Sequence, residues 1–221
     1  MRVLVIAPHM DDEVLGPGAT IARHVDRGDE VVVCVVANRA YGHEYDQALI
    51  AREKQACAEA QSHLGYQNLI NLELADEKLD AQQIDVIVPI ENVVNDVEPE
   101  VIYIPHRGDY HQDHRAIADA MRVVCRPYAQ TRVDVIRVYE TTSSTGYVPN
   151  QTDWPFVPNW YADVSQMLDR KMAAMACYEE EGRTYPHPRS LEGIRIHAQS
   201  RGMEVGLEAA EAFMSLRSVW R

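Results

Sequence analysis

The sequence predicts an α/β protein of Rossmann-like type, with a mostly parallel sheet, helices on both faces and a short C-terminal extension of helices and loops. Runs of β-branched and apolar residues alternate with longer segments of helical periodicity, which is the order of elements in βαβ units. The strand-like runs are apolar on both faces, as is typical of strands covered by helices on two sides. With 221 residues, 46% of them hydrophobic, we expect a single domain over residues 1–221.

Five segments are predicted as strands and six as helices. The strands are residues 2–7, 30–37, 67–74, 101–105 and 133–140. The helices are residues 14–27, 46–64, 81–96, 115–125, 164–178 and 190–202. Gly28 and Gly65 follow helical segments directly, where glycine commonly ends a helix. The chain after Thr141 is too short to bury a core of its own, so we expect it to pack on the sheet and cover its edge.

Composition narrows the classes of function. With 21 basic and 34 acidic residues, the net charge of −13 repels phosphate backbones and anionic lipid, so we expect no nucleic-acid partner and no membrane insertion. The four cysteines lack a CxxC pair, which disfavours a disulfide framework or a zinc–thiolate cluster. We see no signal peptide and no apolar stretch of transmembrane length, and we therefore expect a cytoplasmic protein.

Two clusters of histidine and aspartate each follow a predicted strand. HMDDE, residues 9–13, comes directly after the first strand, and HRGDYHQDHR, residues 106–115, comes directly after the fourth. Ligands of open α/β sheets bind beyond the carboxyl ends of the strands. The two clusters are therefore expected to lie together at one edge of the sheet.

The residue types in these clusters suit a catalytic metal. His9 and Asp12 are three residues apart, as are His111 and His114. Two imidazoles and one carboxylate leave an open position on zinc, which lowers the pKa of its bound water to about 7. The same ligand types also suit iron(II).

Hydrolysis of an amide needs more than a metal. It needs a base for the water, an acid for the departing amine and a donor for the oxyanion. Asp11 could serve as base and then acid, and His111, flanked by Asp109 and Asp113, could be the donor. The alternative is structural, because aspartates at a helix start could be caps and the histidines could be loop residues.

Both clusters resemble the signatures of one family. PHMDDE resembles the first signature of the PIG-L/LmbE family of zinc-dependent N-acetylglucosaminide deacetylases, and DYHQDHR, residues 109–115, resembles the second. YPHPRSLEGIR and GLEAAEAFMSLR are similar to the C-terminal half of bacterial members. The resemblance implies a Rossmann-like fold and substrates that carry an N-acetylglucosamine-like group on an aglycone. It also implies site residues, which are zinc ligands at His9, Asp12 and His114, Asp11 as base and later acid, and His111 as oxyanion stabiliser oriented by Asp109 or Asp113.

The chain departs from the family pattern at two places. Met10 replaces a common proline, and the position of a frequent family arginine holds Glu53, with Arg52 one residue out of register. On a helix that offset turns a side chain about 100° away.

Candidates for substrate binding come from the loops and from this displaced position. They are Arg39, Arg52, Tyr110, His187 and Arg189, with Tyr41 beside Arg39. The acidic run of residues 179–181 is interpreted as a solvated helix end.

The sequence thus predicts a zinc-dependent hydrolase that removes the N-acetyl group from an N-acetylglucosamine-type sugar conjugate. The products would be acetate and a free amino sugar. One alternative is hydrolysis of a different small amide at the same metal site. The other is a non-catalytic Rossmann-like ligand-binding module, although the GxGxxG turn of a dinucleotide site is missing. The resemblance is compatible with a homo-oligomer.

Overall fold

Seven strands form a single mixed sheet in the computed structural model, which describes residues 1–40, 43–147 and 154–220. The strand order is β3-β2-β1-β4-β5-β7-β6. The strands are β1 (Arg2–Ala7), β2 (Glu30–Asn38), β3 (Asn68–Ala75), β4 (Val101–Pro105), β5 (Val135–Tyr139), β6 (Trp160–Asp163) and β7 (Ala210–Ser218). β1 to β5 are parallel to their neighbours among these five, and β7 runs antiparallel to both β5 and β6.

Helices cover both faces of the sheet, so the predicted fold class is confirmed. The α-helices are α1 (Asp12–Leu15), α2 (Gly18–Asp26), α3 (Gln47–Leu64), α4 (Gln83–Val97), α5 (Gln112–Val124), α6 (Leu168–Ala176) and α7 (Leu191–Met203). Side chains alternate across β1: Val3 and Val5 pack with α1–α3, α6 and α7, whereas Leu4 and Ile6 pack with α4 and α5. Among the described residues, no helix is long and apolar enough to cross a membrane.

The parallel strands bring their following loops to one edge. β1 is the middle strand of the five parallel strands, paired with β2 on one side and β4 on the other. The loops after β1, β2, β3 and β4 begin at residues 8, 39, 76 and 106. These four loops therefore meet at the carboxyl edge, as the sequence predicts for the first and fourth.

The C-terminal extension differs from its prediction, because it adds two strands to the sheet. Residues 210–218, AEAFMSLRS, contain two alanines and one each of glutamate, methionine, leucine and arginine, all of which favour helix in isolation. The free edge of β5 offers unpaired backbone groups, and β7 pairs with it from Val135 to Tyr139. Tertiary pairing here overrides local propensity.

The helix predicted over residues 14–27 is broken in two at Gly16 and Pro17. A Cβ at Gly16 would collide with the Tyr139 ring, so only glycine fits there. A buried ion pair closes the break: Lys171 Nζ donates to the carbonyl oxygens of Leu15 and Gly16 at 3.2 and 3.0 Å and lies 2.6 Å from Glu211. Glu211 in turn accepts the backbone N–H groups of residues 19 and 20, at the start of α2.

A second ion pair fixes α7 to the end of β5. Arg201 holds Glu140 in a bidentate contact, with Nε and Nη2 at 2.7 and 2.8 Å from the two carboxylate oxygens. Burial alone would raise the pKa of Glu140, but His197 and Arg201 outweigh it and lower the pKa to about 2. The ionised carboxylate therefore stabilises the fold above about pH 5, and this stabilisation is lost as the pH falls toward 2.

We expect Glu140→Gln to lower the free energy of unfolding by about 2 kcal/mol at pH 7, because Arg201 loses its more buried carboxylate partner and keeps only the exposed Glu204. The difference from the unsubstituted protein should shrink between about pH 5 and pH 3, because over this range Glu140 takes up a proton in the unfolded chain while it stays ionised in the folded protein. Urea denaturation at the two pH values measures this. Glu208→Gln, at an exposed glutamate, is the control. If the loss of unfolding free energy in Glu140→Gln were the same at both pH values, the assignment would be wrong.

Candidate metal centre and active site

Three predicted ligands meet at the carboxyl edge of the sheet. Asp12 Oδ2 lies 3.3 Å from His9 Nδ1 and 3.1 Å from His114 Nε2, and none of the three residues is more than 2% exposed. Two ligand atoms on one zinc ion, each at ~2.0–2.1 Å, stand about 3.3–3.4 Å apart at the tetrahedral angle. The distances from Asp12 Oδ2 to both imidazole nitrogens are therefore those expected between neighbouring ligands of one ion.

Carboxylates lie on the far side of both imidazole rings. His9 Nε2 lies 3.0 Å from Asp76 Oδ1 and 3.3 Å from Asp113 Oδ2, which places its proton on Nε2 and leaves Nδ1 free to ligate. His114 Nδ1 lies 3.4 Å from Asp109 Oδ2, close enough for an ion pair but without a hydrogen bond between them. The tautomer of His9 is therefore fixed by hydrogen bonds, and His114 has a carboxylate on the same outer side.

The charge of the site fits a divalent cation. Four buried aspartates, Asp12, Asp76, Asp109 and Asp113, surround two imidazoles. Burial alone would lower the pKa of His114, but Asp12 and Asp109 outweigh it and raise the pKa to about 9. This raised pKa reports an excess of negative charge that the ring must balance by taking up a proton. A dication would balance the same charge while leaving the ring neutral.

His111 belongs to this group as a donor. Nitrogen atoms of His9, His111 and His114 all lie within 4.8 Å of one another, so three histidines could in principle share an ion. However, His111 Nδ1 accepts the backbone N–H of Asp113 at 3.2 Å. A neutral imidazole that accepts at Nδ1 carries its proton on Nε2, which can then donate but cannot ligate.

Burial lowers the pKa of His111 to about 4, and the neighbouring His9 and His114 add to the shift. The ring is therefore neutral at pH 7. Its side chain is oriented by a backbone amide, and neither predicted carboxylate does this. Asp109 instead accepts the backbone N–H of His111 at 2.8 Å and hydroxyl protons from Ser144 and Thr145.

Asp11 has an unusual backbone and a fully buried side chain. Its φ of 104° lies in the left-handed region, which is uncommon for residues other than glycine and costs on the order of 1–3 kcal/mol. Glu13 holds this conformation, because its Oε2 accepts the Asp11 N–H at 3.0 Å while its Oε1 accepts the Tyr178 hydroxyl at 2.5 Å. Strain of this kind is typical of functional positions.

Two arginines and a glutamate surround the Asp11 carboxyl group. Arg39 donates to Oδ1 at 3.1 Å, and Arg189 approaches Oδ2 at 3.5 Å. Glu181 binds both guanidinium groups, lying 2.7 Å from Arg189 and in direct contact with Arg39. Burial raises the pKa of Asp11, and so do the negative charges of Asp12 and Glu181. The positive charges of Arg39 and Arg189 lower it. The resulting pKa is about 6.

Glu181 therefore corrects the interpretation of residues 179–181 as a solvated helix end. These residues form a short 3-10 helix, and Glu181 is 5% exposed. Its neighbours point outward, whereas its own carboxylate is the counter-ion of two arginines beside Asp11. An acidic run alone gives no signal that one member turns inward.

The other predicted residues lie at varying distances from this group. Arg52 does not reach the group around Asp11, because its side chain is 57% exposed and pairs with Glu180. Helix α3 turns the neighbouring Glu53 inward instead, and its carboxylate lies 3.9 Å from Arg39. Tyr110 is 69% exposed. His187 is partly exposed and faces the Tyr147 hydroxyl at 3.3 Å. Tyr41 lies outside the described residues.

Asp76 is a site residue that the sequence reasoning missed. It follows β3 directly and is 3% exposed, and its Oδ2 also accepts the backbone N–H of Ala40 at 2.8 Å. A signal was present, because an acidic residue directly after a predicted parallel strand meets the criterion that found His9 and His106.

The comparisons with known proteins identify the family. Residues 4–125 match PIG-L, described as GlcNAc-PI de-N-acetylase, and the chain belongs to this family. It is 33% identical over 147 residues to the uncharacterized deacetylase YaiS of Escherichia coli K12, covering 64% of this chain and 75% of that protein. It is 26% identical over 191 residues to a probable N-acetyl-α-D-glucosaminyl L-malate deacetylase 2 of Bacillus cereus, covering 81% and 83%.

Solved structures share the fold over the whole length. The conserved protein TT1542 of Thermus thermophilus superposes with a TM-score of 0.80 at 23% identity, covering 99% of this chain and 96% of that one. GalB, the 4-carboxy-2-hydroxymuconate hydratase of Pseudomonas putida KT2440, gives 0.77 at 19%, covering 100% and 98%. At such identities the likeness concerns the fold alone.

We expect Asp76→Asn to weaken zinc binding about 10- to 100-fold, because His9 loses the carboxylate that fixes its tautomer. Competition with a chromophoric chelator measures the affinity. Asp80→Asn makes the same chemical change at an exposed aspartate four residues on, and should leave affinity unchanged. Equal affinities for the two variants would show that Asp76 does not aim a ligand.

Proposed function

We propose that this chain is a metal-dependent N-deacetylase acting on N-acetylglucosamine-type sugar conjugates, releasing acetate and a free amino sugar. The observation that carries the proposal is the pairing of a buried, strained carboxyl group at Asp11 with a neutral imidazole donor at His111, beside three residues spaced as metal ligands. The relative from Bacillus cereus, named as a probable deacetylase of such a conjugate, supports the substrate class.

His9 Nδ1, Asp12 Oδ2 and His114 Nε2 would hold the ion. Zinc suits two imidazoles and a carboxylate with an open position, and iron(II) is the alternative. When bound, such an ion supplies Lewis-acid chemistry, lowering the pKa of a bound water and polarising the amide carbonyl.

Asp11 would move the protons of the reaction. As a carboxylate it accepts a proton from the attacking water, whose oxygen bonds to the acetyl carbon. As a carboxylic acid it then gives that proton to the sugar nitrogen as the C–N bond breaks. A pKa of about 6 suits both tasks near neutral pH, because the group is largely ionised and still basic.

His111 would stabilise the oxygen that becomes negative when water adds to the carbonyl. Its Nε2–H is a neutral donor held in place by the backbone N–H of Asp113. A donor fixed in this way needs no reorganisation as charge develops, which is the basis of an oxyanion hole.

Arg39 and Arg189 would position Asp11 and set its pKa rather than bind the substrate. Both guanidinium groups are already balanced by Glu181 and by Asp11 itself. They keep the Asp11 carboxyl group in position and keep its pKa from rising further with burial. Contacts with the aglycone are then assigned to the more exposed rim, where Tyr110 and His187 lie.

The reaction class is tested by acetate release from a panel of N-acetylglucosamine conjugates, before and after removal of metal with a chelator. Release that disappears with the metal and returns with zinc supports the proposal. If metal binds in a 1:1 ratio and no conjugate releases acetate, the substrate class is wrong, and other small amides are the next panel.

We expect Asp11→Asn to lower kcat by about 10²- to 10⁴-fold, because the amide cannot accept the proton of the water. Asparagine tolerates the left-handed backbone, so the fold and the bound metal should be retained. Acetate release and metal content by mass spectrometry measure the two effects, with Asp80→Asn as the control. Full activity in Asp11→Asn would remove the base from the mechanism.

Glu181→Gln tests the arginine pair. Without this counter-ion, the positive charges of Arg39 and Arg189 lower the pKa of Asp11 further and make it a weaker base. We therefore expect kcat to fall about tenfold while KM changes less. The matched control is Glu180→Gln, the adjacent glutamate, whose side chain is 49% exposed. Steady-state kinetics of the two variants decide: equal kcat values would assign Glu181 a structural role only.

A further inference from the structure

A cavity lies at the opposite edge of the sheet from the candidate active site. It has a volume of about 320 Å³, within the range of small-molecule sites. Val101 and Val135, the first residues of β4 and β5, line it, together with Met1 just before β1. The cavity therefore opens at the amino ends of the parallel strands, away from the residues of the site described above.

Three arginines line this cavity, and none has a carboxylate partner among the described residues. Arg23 donates to the carbonyl oxygen of Asp163, and Arg137 donates to Ser215 Oγ at 2.7 Å and to a backbone carbonyl. In the described part of the chain, the hydrogen bonds of Arg23 and Arg137 go to carbonyl and hydroxyl oxygens, and none of the three arginines forms an ion pair with a carboxylate. In a chain of net charge −13, three guanidinium ions around one cavity without such a pair are unexpected.

Two acidic side chains lie near the arginines. Asp29 accepts from the amino terminus at 2.8 Å and faces His24 at 2.6 Å. Asp163 lines the cavity, and hydrogen bonds from Ser165 together with the positive charge of Arg23 lower the pKa of its carboxyl group. One carboxylate of the lining therefore offsets part of the charge of three guanidinium ions, and a net positive charge remains.

Two buried polar atoms of the cavity lining have no hydrogen-bond partner among the described residues. They are Arg137 Nε and Thr20 Oγ1, on residues that are 8% and 2% exposed. A buried donor left unpaired costs about 1–3 kcal/mol, so such atoms call for an explanation. Burial also lowers the pKa of Arg137, as expected for a guanidinium that lacks an anion.

One wall of the cavity is aromatic. The Arg137 guanidinium lies over the Trp160 ring, 4.8 Å from its centre, and Tyr103 and Tyr161 also line the space. A flat ring can pack against such a wall, while an anionic group attached to it reaches the guanidinium groups.

We propose that this cavity binds a small phosphate monoester that carries a flat ring. The phosphate is assigned to Arg23, Arg27 and Arg137, and the ring to the Trp160 wall. A phosphate monoester is preferred to a carboxylate because it carries about −1.5 to −2 charge at pH 7 and so balances more of the three guanidinium ions.

Calorimetric titration of the full chain with phenyl phosphate tests the proposal. Phenyl phosphate should bind more tightly than inorganic phosphate or benzoate, because only it offers both the dianion and the ring. The double variant Arg23→Gln/Arg27→Gln changes two exposed side chains and should bind phenyl phosphate at least about tenfold more weakly. The matched control is Arg122→Gln, an exposed arginine that lies over the Trp154 ring outside the cavity, and its affinity should be unchanged.

Two results would overturn the proposal. One is the absence of phenyl phosphate binding at millimolar concentration, or an equal affinity in the double variant. The other is loss of binding in Arg189→Gln, which would place the ligand at the candidate active site. Unchanged binding in Arg189→Gln together with weakened binding in the double variant supports the assignment.

Discussion

The negative charge buried at the carboxyl edge of the sheet is the constraint on which the rest of the site depends. Eight carboxyl groups there belong to residues that are at most 5% exposed: Asp11, Asp12, Glu13, Glu53, Asp76, Asp109, Asp113 and Glu181. A buried carboxylate without compensation costs several kcal/mol. Each of these groups must therefore find a cation, a hydrogen-bond donor or a proton, and the surrounding residues follow from that need.

The cationic groups that balance these buried carboxylates form two sets, one on each side of Asp11. On one side, His9 and His114 lie among carboxylates whose charge fits a dication. On the other, Arg39 and Arg189 are bound by Glu181. Asp11 receives opposing effects from burial, the neighbouring acids and the arginines. Its pKa of about 6 is the result of this near balance, so a change on either side alters the basicity of one carboxyl group.

Much of this arrangement was predictable from the sequence. β1, β2 and β4 are apolar runs of high β-propensity, and the rule that ligands gather at the carboxyl ends of parallel strands brought His9 and His114 together without coordinates. The resemblance to the PIG-L family, carried by the same two motifs, is confirmed by the match of residues 4–125. The ligand and base assignments remain predictions that the experiments above address.

What the sequence did not reveal depends on contacts between distant segments. The contact of Glu181 with Arg39 crosses more than half the chain, and no local pattern marks it. Whether Arg52 or Glu53 faces the site depends on how α3 is rotated about its axis, because adjacent residues of a helix point about 100° apart. β7 has a helix-like composition and becomes a strand only because β5 offers a free edge.

The same charge balance bears on how a substrate is recognised. An arginine already bound by Glu181 is a poor receptor for an anionic aglycone, since the new anion would have to compete with a buried carboxylate. The charges around Asp11 in the candidate active site are thus already paired, and we propose that specificity depends on the rim loops, which vary most readily in such folds. GalB, a hydratase with the same fold, shows that the fold alone does not fix the reaction. The features that favour amide hydrolysis here are local. They are the Asp11 carboxyl group, with a pKa of about 6, and the neutral imidazole donor at His111, both beside the candidate metal ligands.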